Sequence, residues 1–152
     1  MALIPDVAWT MINCAIDMAN EKKDSAYFLD FYKLHILLYY AQGYMLVSYG
    51  RVLFKEEIII DDSGPFIPGV LLLPTGYDKI TEKIQDRIYP LTSDRMSAIR
   101  TVLQKYGANT KDELVCKARQ DELYKKCLQQ GGIGSVINIE DMKKHNGFLI
   151  TE

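Results

Sequence analysis

A chain of 152 residues has room for one domain of ordinary size and little for a second. Its 48% apolar, 11% aromatic and 25% charged residues can build a buried core, which excludes a disordered or fibrous protein. With 18 Lys and Arg against 20 Asp and Glu the net charge is −2, so no global positive field exists to hold a polyphosphate, and nonspecific nucleic-acid binding is disfavoured.

Behind Pro5, the residues Val7, Ala8, Met11, Ile12, Ala15, Ile16 and Ala19 recur at helical spacing, which predicts an amphipathic helix from Val7 to about Asn20 capped by Asp6. Asp6 stands in place of a basic region and no long apolar run follows it. The N-terminus therefore does not read as a signal peptide, and a cytoplasmic protein is expected. After a polar stretch, Glu21 to Ser25, Asp30 is a cap for a long helix from Phe31 to about Tyr49, ended by Gly50. Leu34 to Gly50 holds no Asp, Glu, Lys or Arg, yet His35, Gln42, Gly43 and four tyrosines interrupt it. That composition argues against a membrane span and for a central helix buried on most sides.

The period then changes. Val52, Leu53 and Phe54, with Ile58, Ile59 and Ile60, flank Lys55 to Glu57 as two β-branched strands of a short hairpin would. Asp62 to Gly69 contains Pro65 and Pro68 and is expected to be a fixed, extended loop. Val70 to Leu73 allows one helical turn before Pro74, Thr75 and Gly76, and Tyr77 to Tyr89 carries no clear period. Helical spacing returns from Thr92 or Ser93 through Met96, Ile99, Val102, Leu103 and Tyr106 to a stop at Gly107. Thr110 and Glu113 form a capping box ahead of Leu114, Val115 and Ala118. Another helix covers Glu122 to Gln129 and ends at Gly131 and Gly132. Asn138 caps a last short helix to about His145, after which Phe148 to Ile150 are free to pack back. The expected fold class is mainly α (α+β): a single helical domain, residues 1–152, around a central buried helix with one small β-hairpin and a Gly-Pro-x-x-Pro loop.

Catalytic signatures are missing from this sequence. Neither a G-x-S-x-G elbow nor a helix-start S-x-x-K occurs, and there is no G-x-x-x-x-G-K-[ST] phosphate cradle. Gly131, Gly132 and Gly134 follow a helix instead of a strand, so they read as a loop. Cys14, Cys116 and Cys127 are odd in number and lack C-x-x-C spacing, which predicts free thiols and neither a disulfide framework nor a zinc site. Asp61 and Asp62 are adjacent on an extended segment and would face opposite ways, so a shared metal there would need a kink. His35, with no Cys, Asp or second His one turn away, reads as a hydrogen-bonded core or boundary histidine. No catalytic residue, cofactor or metal is expected. Tyr32, Tyr39, Tyr40, Tyr44 and Tyr49 crowd the central helix, where their hydroxyls suit either a satisfied core or an interface. The pairs Lys22–Lys23, Lys125–Lys126 and Lys143–Lys144 lie beside acids and read as solvated faces.

Two strings, in the central helix and in the proline loop, are specific, and a third, shorter one lies between them. Leu34-His35-Ile36-Leu37-Leu38-Tyr39-Tyr40-Ala41-Gln42-Gly43-Tyr44, then Val52-Leu53-Phe54, then Gly64-Pro65-Phe66-Ile67-Pro68 together resemble the Panacea antitoxin domain family, also called SocA-like or phage-associated GepA-like. The family pattern runs approximately K-L-Q-K-L-L-Y-Y-A-Q-G-W, P-L-F and A-W-x-x-G-P-V-x-P. Order and spacing agree over about Val7 to Ile80, and more loosely at Thr110 to Leu114 and Ile137 to His145. His35 and Ile36 stand where the family prefers Gln and Lys, and Asp61 where it prefers Trp; Pro74 shortens the turn after the loop. A Thr-His pair and a Trp of relatives have no counterpart around Ala118, Arg119 and Tyr124.

The resemblance implies an antitoxin, often carried on phages or other mobile elements, that neutralises a toxin by direct protein binding. The expected partner is a cognate toxin encoded next door, with a protease as a further partner if the chain acts as a proteolytic adaptor; no membrane is implied. The expected contact surface comprises the exposed members of Tyr39, Tyr40, Gln42 and Tyr44 and the loop from Asp61 to Pro68, including Asp62, Pro65 and Phe66. Two rival readings are a DNA-binding autoregulator using helices after Thr92, which the acidic balance opposes, and an enzyme using Asp61, Asp62 and His35, which lie on separate elements.

Overall fold

In the computed structural model, which describes residues 3–72, 78–84 and 88–150, the charge-free stretch forms helix α2 (Phe31–Tyr49) from Leu34 onward, together with its C-cap Gly50. Asp30 Oδ1 accepts from the Lys33 N–H at its start, and Gly50 ends it in the left-handed region at φ 71°. Leu34, Leu37, Leu38, Tyr39 and Ala41 have no exposed surface, because α1 (Ile4–Lys22), α3 (Ser93–Tyr106), α4 (Lys111–Gln120) and α6 (Ile139–Lys143) all pack on it. Each of these leucine side chains contributes about 1.5–3 kcal/mol on leaving water. The architecture is mainly helical, with α5 (Glu122–Gly131) following α4 directly.

Thr110 and Glu113 make the reciprocal capping box, and the Asn138 side chain accepts from the Glu140 and Asp141 N–H groups. Helix α1 departs from expectation. It starts at Ile4, ahead of Asp6, and its cap is remote: Glu56 Oε1 accepts from the Ile4 N–H at 3.2 Å. Asp6 is buried in the first turn and instead accepts from the Tyr89 N–H at 3.0 Å. One heptad on, Asn13 Oδ1 accepts from the Ile84 N–H at 2.9 Å, so α1 holds the unpatterned segment by two side chains.

The hairpin is also shifted. Val52 to Phe54 is no strand, because its backbone is engaged by a side chain of α2: Gln42 Oε1 accepts from the Leu53 and Phe54 N–H groups at 2.6 and 3.3 Å, and Gln42 Nε2 donates to the Phe54 carbonyl at 2.8 Å. The two strands are β1 (Ile59–Asp61) and β2 (Gly64–Phe66), antiparallel, with Ile59 opposite Phe66 and Asp61 opposite Gly64. The extended loop expected after Asp62 is thus partly a strand. Asp62 and Ser63 make the turn and Gly64 takes its positive φ of 110°, which a side chain rarely adopts. The single helical turn is a 3-10 turn at Pro68–Leu72; Leu73, Pro74, Thr75, Gly76 and Tyr77 fall outside the described residues. On the far edge of β1 the chain returns, Ile60 and Ile137 donating to the Ser135 and Ile58 carbonyls at 3.0 and 2.8 Å.

Phe148 packs back onto α2, 2% exposed, against Gly43. A Cβ at Gly43 would overlap its ring. Gly43→Ala therefore costs about 1–3 kcal/mol through overpacking, which exceeds the roughly 1 kcal/mol that alanine gains over glycine in a helix. In a Phe148→Ala background the sign reverses, and the same change stabilises. A urea-denaturation double-mutant cycle reads both signs; destabilisation in both backgrounds would place the constraint elsewhere.

Candidate functional site

The residues of the two sequence strings meet at a small pocket of about 50 Å³. Helix α2 supplies His35 and Ile36; the hairpin supplies Asp61, Ser63, Pro65 and Phe66. Lys111 and Val115 of α4 and Tyr32 of α2 complete the wall. Gly64 brings the hairpin close to α4, a Cβ there meeting Val115 Cγ1 at 3.3 Å. The Tyr124 hydroxyl of α5 donates to the Asp61 carbonyl at 2.8 Å and ties the strand end in place.

His35 is 2% exposed and held on three sides. Its ring stacks on Phe66, with centroids 4.4 Å apart at 18°, and meets Phe31 edge-on at 4.7 Å. The Ile67 N–H donates to Nδ1 at 3.0 Å, so the proton of the neutral ring sits on Nε2. That Nε2 is buried with no protein partner. Burial pushes the pKa of the ring down to about 4, against the opposing pull of Asp61. At neutral pH the ring therefore offers a donor and holds its only lone pair on the backbone, which suits recognition better than proton abstraction. Lys111 Nζ lies 5.6 Å from the Tyr32 ring centroid and 3.1 Å from Asp112 Oδ1, placing a cation at the rim.

The residues expected at a partner surface divide. Tyr39, Tyr40 and Gln42 are at most 1% exposed and form no surface. Tyr39 and Tyr40 pack with Phe148 and Tyr106, their hydroxyls have no partner, and burial beside Asp121 raises both phenols above their ordinary range. Tyr44 is half-buried. In the loop, Asp62 is exposed, Asp61 and Phe66 are half-buried at the pocket, and Pro65 is buried. His35 and Asp61, on separate elements in the sequence, line one pocket, whereas Asp62 does not. Ser63 lies in the loop expected at the surface, whereas Lys111 and Val115 escaped sequence reasoning as site residues: Lys111 follows a helix cap fifty positions after Asp61, and no local pattern joins them.

Lys125, Lys126 and Lys143 are ion-paired with Glu122, Asp141 and Glu140. The three cysteines are free thiols. Among the described residues no three His, Cys, Asp or Glu side chains gather where they could hold an ion, and no helix is long and apolar enough to cross a membrane. No family model, curated protein or solved structure matches the chain.

Between pH 6.5 and about 4 the unfolded chain binds a proton at His35 that the folded chain refuses. Stability is thus unaffected by this group above pH 6.5 and falls as pH drops through that window, by about 3 kcal/mol in all. NMR titration of the imidazole nitrogens should give a midpoint near 4, with the Nε2–H tautomer above it. A midpoint near 6.5 would show that the ring reaches water.

Proposed function

We propose that this chain is an antitoxin-like protein that neutralises a partner toxin by direct contact in the cytoplasm, the toxin being encoded by a neighbouring gene of a phage or mobile element. The observation that carries the reading is the direct hydrogen bond between the two strings that resemble the Panacea domain: His35 of the first receives the Ile67 N–H of the second. The motif residues thereby hold a hairpin rigidly on a buried helix, with Asp62 and Ser63 exposed at its tip. A contact made by such a loop loses little conformational freedom on binding.

Induction of the neighbouring gene alone should arrest growth, and co-induction of this chain should relieve the arrest. Ser63→Arg and Asp62→Arg alter exposed tip residues and should weaken toxin capture by about tenfold or more while leaving circular dichroism and urea midpoint unchanged. Absence of arrest, or arrest without relief, would remove the antitoxin reading; full capture by both variants would remove the hairpin tip from the interface.

A further inference from the structure

We propose that the pocket between α2, the hairpin and α4 is a recognition site for a primary amide, the side chain of an Asn or Gln presented by a protein partner. The inference rests on the partner-binding reading for the source of the amide and on the pocket itself for the chemistry. His35 supplies one side: its Nε2–H is buried without a protein partner, while Nδ1 is already committed to Ile67. A buried, unpaired donor costs about 1–3 kcal/mol, which an incoming acceptor would recover. A carbonyl oxygen meets that requirement, and an ammonium or guanidinium group, being donor only, does not.

The opposite requirement comes from Asp61. Asp61 lines the same pocket, and its charge acts on His35 through space. An entering carboxylate could accept from His35 but would face this negative charge, with Lys111 already shared with Asp112. A primary amide carries both functions on one planar head: the oxygen accepts from Nε2–H and the NH2 donates to the carboxylate. Size agrees. A water needs about 10–15 Å³ of such space, so a pocket of about 50 Å³ takes about four heavy atoms, which is a methylene and a carboxamide. Phe66, Pro65 and Val115 then cover the methylene.

The test is an NMR titration of the isolated chain with N-acetylglutamine N-methylamide, N-acetylglutamate N-methylamide and N-acetyllysine N-methylamide, read at the Ile67 and Gly64 amides and the His35 nitrogens. The glutamine probe should shift all three saturably, with at least about tenfold tighter binding than either charged probe. Asp61→Asn should abolish the discrimination against glutamate. His35→Phe should abolish the response, and because that buried change can disturb folding, Asp61→Asn carries the decision if the variant is not folded. Equal responses to glutamine and glutamate, or shifts that never saturate, would overturn the proposal; the second result would mean that the pocket holds only water. Since the titration uses no toxin, its failure is distinguishable from a failure of growth rescue.

Discussion

The carboxamide of Gln42 is the contact on which the middle of this protein depends. Helix α2 is buried on most sides and carries no charge beyond its first turn, so its buried length can direct neighbouring backbone only through the few polar groups it holds. Gln42 completes the hydrogen bonding of Leu53 and Phe54, and this brings the chain back onto the helix it has just left. Seven positions earlier, about two turns and on the same stripe, His35 receives Ile67. The hairpin therefore enters at one polar residue of α2 and leaves at another. Its orientation is set at both ends by side chains inside the core, where water cannot compete for the bonds.

Helix α1 repeats the arrangement. Asp6 and Asn13, also seven apart, hold the backbone at Tyr89 and Ile84. Segments without hydrophobic period are thus carried by polar residues recurring on helices, and the absence of periodicity in 77–89 has a physical cause. The described part of that segment is anchored through its amides to α1 and, at Ile80, to the Leu29 carbonyl. Side-chain pattern records little of such bonding, since the anchored residue contributes its backbone and the information lies in the partner.

The same distinction decides what was legible in the sequence. Caps at Asp30, Thr110 and Asn138 could be read because donor and acceptor lie two or three residues apart. The true cap of α1, Glu56, lies 52 residues away, so Asp6 was the nearest and wrong candidate. Val52 to Phe54 has strand composition, but the Leu53 and Phe54 N–H groups and the Phe54 carbonyl are spent on Gln42 and the Val52 carbonyl on Arg95. The tyrosines of α2 misled for another reason. Tyr40 stacks on Tyr106 at 4.8 Å and Tyr39 meets Phe148 at 5.1 Å, so aromatic packing outweighs the cost of two unpartnered hydroxyls. Of the site, the proline loop was legible as a motif, and Asp61 only as a candidate contact at a departure from it. His35 was legible only as a core histidine, and the contribution of α4 was not legible at all.

His35 and Gln42 also differ in a way that separates scaffold from site. Every donor and acceptor direction that Gln42 directs at the backbone is answered, which is the usual condition of a buried polar group. His35 is equally buried and has one nitrogen answered and one not. Relaxation around an idle donor is restricted here, since Phe66 lies flat against the ring, Phe31 closes its edge and Ile67 fixes the tautomer. The unpaired Nε2–H is consequently held in one direction before anything binds. Stability is lower for it, and the same rigidity removes the ordering cost that a flexible histidine would impose on binding. A core donor that stays unanswered while its neighbours prevent its escape is what the proposed amide recognition would use, whereas the equally unanswered hydroxyls of Tyr39 and Tyr40 lie outside the pocket.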